Sequence, residues 1–156
     1  MKYSIYKGKL YLSSIRNMKV RLRSRVYEEG FKELVDLLGN IHNDIFIKEV
    51  TIEDVDIIYN TEYKVIYKGR EFIPWAVGKF ILNTGKITLG TNDEKEARLY
   101  NFEKVEQFVF KKEVEIEEVD VLIEIKKPIL KFESMGEQFT KIEPKCIKGY
   151  LKKLLE

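Results

Sequence analysis

Lys19, Arg21, Arg23 and Arg25 alternate with Val20, Leu22 and Ser24, and Arg16 lies just upstream. In an extended chain successive side chains point to opposite faces, so this spacing puts the cations in one row with Val20 and Leu22 behind them. Guanidinium groups in a row bind phosphates or carboxylates through paired N–H donors. The same row also suits a solvated sheet face, or an edge strand guarded by charge. A second set is acidic: Glu113, Glu115, Glu117, Glu118 and Asp120, matched by Glu49, Glu53, Asp54 and Asp56. Carboxylates this close can exchange protons or hold a metal only where another element converges on them. The interleaved Val50, Ile52 and Val55 explain the stretch as a connector with apolar residues in and charges out; the other reading is an acidic face, with Glu115, Glu117 and Glu118, that mimics nucleic acid toward a basic partner.

His42 and Cys146 are the single histidine and single cysteine of the chain. A Cys/His pair can support nucleophilic chemistry, but a lone thiol in a helix is more often a small apolar filler. Tyr-Lys-Gly-Lys is a hairpin bend and not a phosphate-binding loop. The residues imply no enzyme and no cofactor. Aromatic side chains gather around two bends, at Tyr3, Tyr6, Tyr11, Tyr63, Tyr67, Phe72 and Trp75. Trp75, beside Pro74, is a candidate anchor at a protein surface. Together with Lys19–Arg25 these rings also suit a small nucleic-acid-binding module.

The elements that must position these groups follow from periodicity. Residues 2–15 predict a strand pair bent at Gly8, and residues 18–24 a strand. Phe31, Leu34, Val35 and Leu38 stand at i, i+3, i+4 and i+7 with Gly39 behind them, which predicts a helix over Glu28–Leu38. A strand over 44–50 and a turn-like connector over Ile52–Ile58 follow. Residues 62–73 predict a second strand pair around Gly69; Pro74–Gly78 follows it as an insertion that the first pair lacks. Lys86–Leu89 is a strand, Asp93–Tyr100 a short helix with capping-box spacing from Thr91 to Glu94, and 107–114 a strand. Asp120–Ile125 and Pro128–Glu133 predict two more strands. Pro144 opens a final helix striped by Ile147, Leu151, Leu154 and Leu155, which covers an open side of the sheet.

The chain repeats itself. Lys48-Glu49-Val50-Thr51-Ile52-Glu53-Asp54-Val55-Asp56 recurs as Lys112-Glu113-Val114-Glu115-Ile116-Glu117-Glu118-Val119-Asp120, identical at seven of nine positions with an offset of 64. Ile5-Tyr6-Lys7-Gly8 recurs as Ile66-Tyr67-Lys68-Gly69 with an offset of 61, and Lys19–Leu22 corresponds to Lys86–Leu89 with an offset of 67. The fold expected is therefore α+β: one compact domain made of two tandem hairpin, strand, short-helix, strand copies (2–58 and 62–125) in antiparallel sheet, followed by a tail over 126–156. A segment of this length buries too little surface alone to be more than marginally stable, so the copies are expected to pack together. Lys and Arg number 28 and Asp and Glu 26, a balance that speaks against a bulk nucleic-acid binder. With no signal-peptide pattern and no apolar run of membrane-spanning length, a cytoplasmic protein with no membrane partner is expected.

The doubled unit, with its Ile66-Tyr67-Lys68-Gly69 hairpin, Gly85-Lys86-Ile87-Thr88-Leu89 strand, short helix and strand into Lys112–Val119, resembles the small cytoplasmic immunity proteins of bacterial polymorphic toxin systems. The resemblance spans residues 2–125 and lies in general character, since those proteins too are small, duplicated, heavily charged and without a catalytic constellation. It implies stoichiometric binding to a cognate toxin domain through charge and shape complementarity. The residues expected to carry it are Lys19, Arg21, Arg23, Arg25 and Trp75, with Glu115, Glu117 and Glu118 as the alternative.

Overall fold

The computed structural model describes residues 1–154. They form two compact units, one of residues 1–61 and 126–138, the other of residues 62–125 and from Phe139 onward. Each has its own buried cluster, and each is described separately.

Unit one is antiparallel sheet. Strand β1 (Lys2–Tyr6) pairs with β2 (Lys9–Arg16), β2 with β3 (Lys19–Ser24), β3 with β5 (Ile41–Thr51), and β5 with β4 (Lys32–Val35). The first part of β6 (Ile57–Tyr67) pairs with β1. Alternation along β3 works as its sequence predicts: Val20, Leu22 and Ser24 are buried while Lys19, Arg21 and Arg23 take the other face. Tyr11, Val20, Leu22, Phe31, Val50, Ile52, Val55, Ile58 and Phe132 make the core.

Unit two contains the rest of β6, β7 (Arg70–Pro74), β8 (Lys86–Thr91), β9 (Glu103–Glu106) and β10 (Val109–Glu115). Strand β8 lies between β7 and β10, and β9 pairs with β10. Helix α1 (Lys79–Thr84) precedes β8, and α2 (Glu94–Leu99) follows it. Asp93 caps α2 by accepting from the N–H groups of Lys95 (2.9 Å) and Glu96 (3.2 Å). Strands β11 (Val121–Pro128) and β12 (Gln138–Ile142) lead to α3 (Ile147–Leu154), whose Ile147 and Leu151 are buried with Leu89, Leu122 and Phe110. Leu154 is half-buried; Leu155, the last residue of the expected stripe, lies outside the described residues.

Two elements differ from expectation. Glu28–Leu38 is not a helix. Gly30 has φ 85°, a left-handed value that breaks a helix near its start. Residues 32–35 form β4, and of the four spaced apolar residues only Phe31 is fully buried, stacked on Tyr11 at 5.5 Å. A pattern of only two turns does not separate helix from strand, and pairing with β5 decides the outcome. Pro128–Glu133 is not a strand either: Leu130–Met135 is a 3₁₀ turn that buries Phe132. Among the described residues unit one has no α-helix, so the protein is richer in sheet than an α+β expectation suggests.

The repeated stretches occupy corresponding places in the two units. Lys7 (φ 49°) and Gly8 (φ 77°) turn β1 into β2, and Lys68 (51°) and Gly69 (74°) turn β6 into β7. Two left-handed residues in succession give a tight two-residue hairpin. The Gly8 N–H donates to Asp56 Oδ2 (3.3 Å) and the Gly69 N–H to Asp120 Oδ2 (2.8 Å). The N–H groups of those aspartates donate to Ile5 O (2.8 Å) and Ile66 O (2.7 Å). Lys48 Nζ lies 5.2 Å from the Tyr6 ring centroid and Lys112 Nζ 5.6 Å from that of Tyr67. Thus the last residue of each nine-residue stretch ties down its hairpin, the first lies over the hairpin tyrosine, and Val50, Ile52 and Val55, like Val114, Ile116 and Val119, fill a core.

Candidate functional site

The outer face of unit one is laid out by strand register. One cross-strand row runs Lys32, Ile47, Arg23, Leu12, Tyr3 from β4 to β1. Beside it run Glu49, Arg21, Ser14 and then Thr51, Lys19, Arg16. Leu12, Arg21 and Ile47 are half-buried; Arg16, Lys19, Arg23 and Lys32 are exposed. Glu49 is the one carboxylate in these three rows, and its Oε1 lies 3.4 Å from Lys19 Nζ. Among the described residues no carboxylate comes within salt-bridge distance of Arg16, Arg21, Arg23 or Arg25. Arg25 stands exposed just past the end of β3. Unpaired guanidinium forks set among aliphatic side chains are chemically suited to bidentate bonds with carboxylates, with apolar contact between them.

The corresponding face of unit two is different. Its row runs Glu103, Lys111, Gly90, Ile73. Lys111 Nζ lies 3.3 Å from Glu103 Oε1 and 5.7 Å from the Trp75 ring centroid. Lys86 Nζ reaches Glu113 (3.5 Å) and Glu115 (3.9 Å). Charges here neutralise one another. Trp75, 49% exposed, lies against Gly90, where an added Cβ would stand 2.4 Å from its indole Nε1. The backbone N–H of Trp75 donates to Thr88 O (2.9 Å). Gly90 therefore makes room for the indole, a reason that the spacing of the sequence does not disclose.

The expected site residues thus separate. Lys19, Arg21 and Arg23 share one face of unit one with Arg25 beyond them, whereas Trp75 belongs to unit two. Glu115 is at the end of β10, and Glu117 and Glu118 sit exposed in the 3₁₀ turn Ile116–Glu118, so the acidic residues do not form one strand row. His42 Nε2 lies 3.0 Å from Asp36 Oδ2 in unit one; Cys146 is exposed at the start of the tail helix in unit two. The aromatic residues pack mostly against other rings: Tyr3 stacks on Tyr59 (5.7 Å) and Tyr11 on Phe31 (5.5 Å), and Phe72 lies tilted against Phe102 (5.1 Å).

Sequence reasoning missed Lys32, Leu12 and Ile47. The helix expected over 28–38 hid Lys32; for Ile47, the alternation of Ile45, Ile47 and Glu49 along β5 was the available signal. It also missed the tip of the β4–β5 hairpin, where Val35 (56%), Leu37 (102%), Leu38 (88%) and Ile41 (66%) are exposed. Asp36 holds that tip: Oδ1 accepts from the N–H groups of Leu38 and Asn40, each at 2.9 Å. The His42 bond, joined by these N–H groups, holds the Asp36 carboxyl below the ordinary carboxylate range.

A separate cluster lies on the core side of β2. Glu28 Oε1 accepts from Lys9 Nζ and Tyr11 OH, both at 2.8 Å. Burial works against the Glu28 carboxylate, but these bonds hold its pKa below normal, while burial and the same contact push Tyr11 up to about 12. In unit two Tyr150 OH donates to the buried Glu124, and the Tyr63 and Tyr150 hydroxyls lie 2.8 Å apart. Burial, together with these two contacts, raises the Tyr150 pKa. No helix of the described residues is long and apolar enough to cross a membrane.

No curated protein and no solved structure matches the chain. A family model does, over residues 1–131, which takes in both nine-residue stretches and ends within the 3₁₀ turn that carries Phe132. With most of its length matched, the chain belongs to the family described as uncharacterised conserved protein UCP033725.

Proposed function

We propose that the protein is a stoichiometric protein-binding inhibitor of the immunity type, acting in the cytoplasm on a cognate toxin domain without chemistry or cofactor of its own. The observation that carries this reading is the set of arginines on unit one, Arg16, Arg21, Arg23 and Arg25, which stand without carboxylate partners among the described residues. Salt-bridged surface charges contribute little to stability, and unpaired ones contribute less, so these arginines are explained better by an external partner than by the fold. The groups between them are Leu12 and Ile47 rather than exposed rings, which favours an acidic protein surface over stacked bases. The two units are read as copies of one ancestral unit, of which the first keeps the cationic face and the second has neutralised it.

The test is affinity capture from the native strain with wild-type chain and with an R21E/R23E variant as bait. The expected result is one protein bound in a one-to-one ratio by the wild type, identifiable as a toxin domain, and released by the charge reversal. Equal capture by both baits would remove the face from consideration. Recovery of RNA or DNA instead, lost steeply as salt rises, would favour nucleic-acid binding.

A further inference from the structure

We propose that Leu37 and Leu38, at the tip of the β4–β5 hairpin, are the apolar anchor of the same interface and enter an apolar pocket of the partner protein. This rests on the reading above and adds the second contact that it needs. Five strands about 4.8 Å apart and about 20 Å of strand give the cationic face roughly 400 Å² in projection. A stable complex buries about 800 Å² on each partner. The face alone falls at the low end even with side-chain relief, so a tight inhibitor needs contiguous surface.

The hairpin tip supplies it. Strand β5 contributes Ile47 and Glu49 to the face and, at its other end, Ile41 beside the tip, where Ile41 pairs with Val35. A partner seated on the face reaches the tip along the same two strands, past the register shift between Glu33 and Leu34. Exposed apolar side chains in contiguous groups mark interaction surfaces rather than ordinary solvated loops. The tip is also set before any partner arrives. Asp36 Oδ1 receives two backbone N–H groups, the Asp36 N–H donates to Asn40 O at 3.0 Å, and the Gly39 N–H donates to Asp36 O at 3.0 Å. Gly39 has φ 84°, which suits glycine. A loop held in this way loses little conformational entropy on binding.

Unit two shows that the fold does not require the extension. Twelve residues separate Glu33 from its cross-strand partner Phe46, whereas five separate Lys104 from its partner Phe110. The shorter hairpin closes around Phe108 and carries no leucine pair. The additional residues of unit one therefore build the outer end of the hairpin, where Leu34 pairs with His42 and Val35 with Ile41, and the tip beyond it.

The experiment titrates wild type, L37S/L38S and R21E/R23E against the purified protein that the wild-type chain captures, and records the melting temperature of each. The leucines are exposed, so L37S/L38S is expected to fold with an unchanged melting temperature and to bind at least tenfold more weakly. Wild-type affinity in L37S/L38S alongside lost affinity in R21E/R23E overturns the anchor and leaves the cationic face standing. Wild-type affinity in both variants overturns the face reading and the anchor with it. Sedimentation of the free wild type supplies the remaining arm: a concentration-dependent dimer that L37S/L38S abolishes would assign the tip to a second copy of this chain and overturn the proposal.

Discussion

Val20, Leu22 and Val50 of unit one are buried, and so are Ile87, Leu89 and Val114 at the corresponding places of unit two. The cross-strand partners agree as well: Val20 faces Val50 and Leu22 faces Lys48, as Ile87 faces Val114 and Leu89 faces Lys112. The alternate residues on the same strands differ. Where one unit has Lys32, Ile47, Arg23 and Leu12, the other has Glu103, Lys111, Gly90 and Ile73. Packing holds the inward residues to their types because a change there leaves a cavity or a clash. Less holds the outward ones, Gly90 beneath the Trp75 indole excepted, so the surface of each unit is freer to take on its own partner chemistry.

Even the two unlike positions of the nine-residue stretch are coupled. Thr51 and Asp54 in unit one bond to each other, Oγ1 to Oδ2 at 2.9 Å and N–H to Oδ2 at 3.1 Å, and these bonds hold the Asp54 carboxyl below its ordinary pKa. Glutamates stand at both places in unit two, and Glu115 turns to Lys86 instead. Unit one thus sets a threonine donor against an aspartate acceptor, a pairing that two glutamates do not offer.

The largest effects should fall equally on the two cores. Leu22→Ala and Leu89→Ala each remove a fully buried side chain at matched positions and should cost about 2–5 kcal/mol apiece by denaturant unfolding. Unequal losses would show that one unit packs more tightly than the other. Next comes Gly90→Val, which drives a branched side chain into the Trp75 indole and should cost about 1–3 kcal/mol with a red-shifted tryptophan emission. Arg23→Gly, the mirror change in unit one, should leave stability within about 1 kcal/mol. An undisturbed tryptophan spectrum in Gly90→Val would mean that the indole does not rest there.

Asp120→Ala and Asp56→Ala each untie a hairpin and should cost about 1 kcal/mol, more at Asp120, where the bond is shorter. The smallest change is favourable. Asn17 (φ 51°) and Met18 (φ 63°) both sit left-handed at the β2–β3 turn, a place where Asn-Gly is preferred. Met18→Gly should therefore raise stability by about 0.5–1 kcal/mol, and a drop would indicate that Met18 makes a contact worth more than the strain.

One effect of pH separates the units further. Glu28 has a depressed pKa, so its stabilisation is present above its ordinary value of 4.5 and is lost as pH falls through the lower folded value. Wild type should lose urea resistance below about pH 4 to a greater extent than Glu28→Gln. Parallel pH curves for the two would contradict the assignment.

Strand β3, the two Gly hairpins, α2 and the tail helix were legible because each carries a local signal: strict alternation, a turn glycine, a cap, an apolar stripe. The nine-residue stretch was legible as a connector through its interleaved Val and Ile, and Asp56 and Asp120 at its ends tie down hairpins. Residues 28–38 misled because a four-residue strand with a long apolar tip carries the same spacing as two helical turns. The unpaired state of the arginines could not be read at all, since it depends on where Glu49 directs its carboxylate, and neither could the dependence of Trp75 on Gly90.

Calorimetric titration of R21E/R23E against the captured partner, at two salt concentrations, tests the central claim most directly. Binding should weaken by about 30-fold or more, the wild-type affinity should itself fall with added salt, and the melting temperature should stay within about 3 °C of wild type. Unchanged affinity in a folded R21E/R23E variant would contradict the claim.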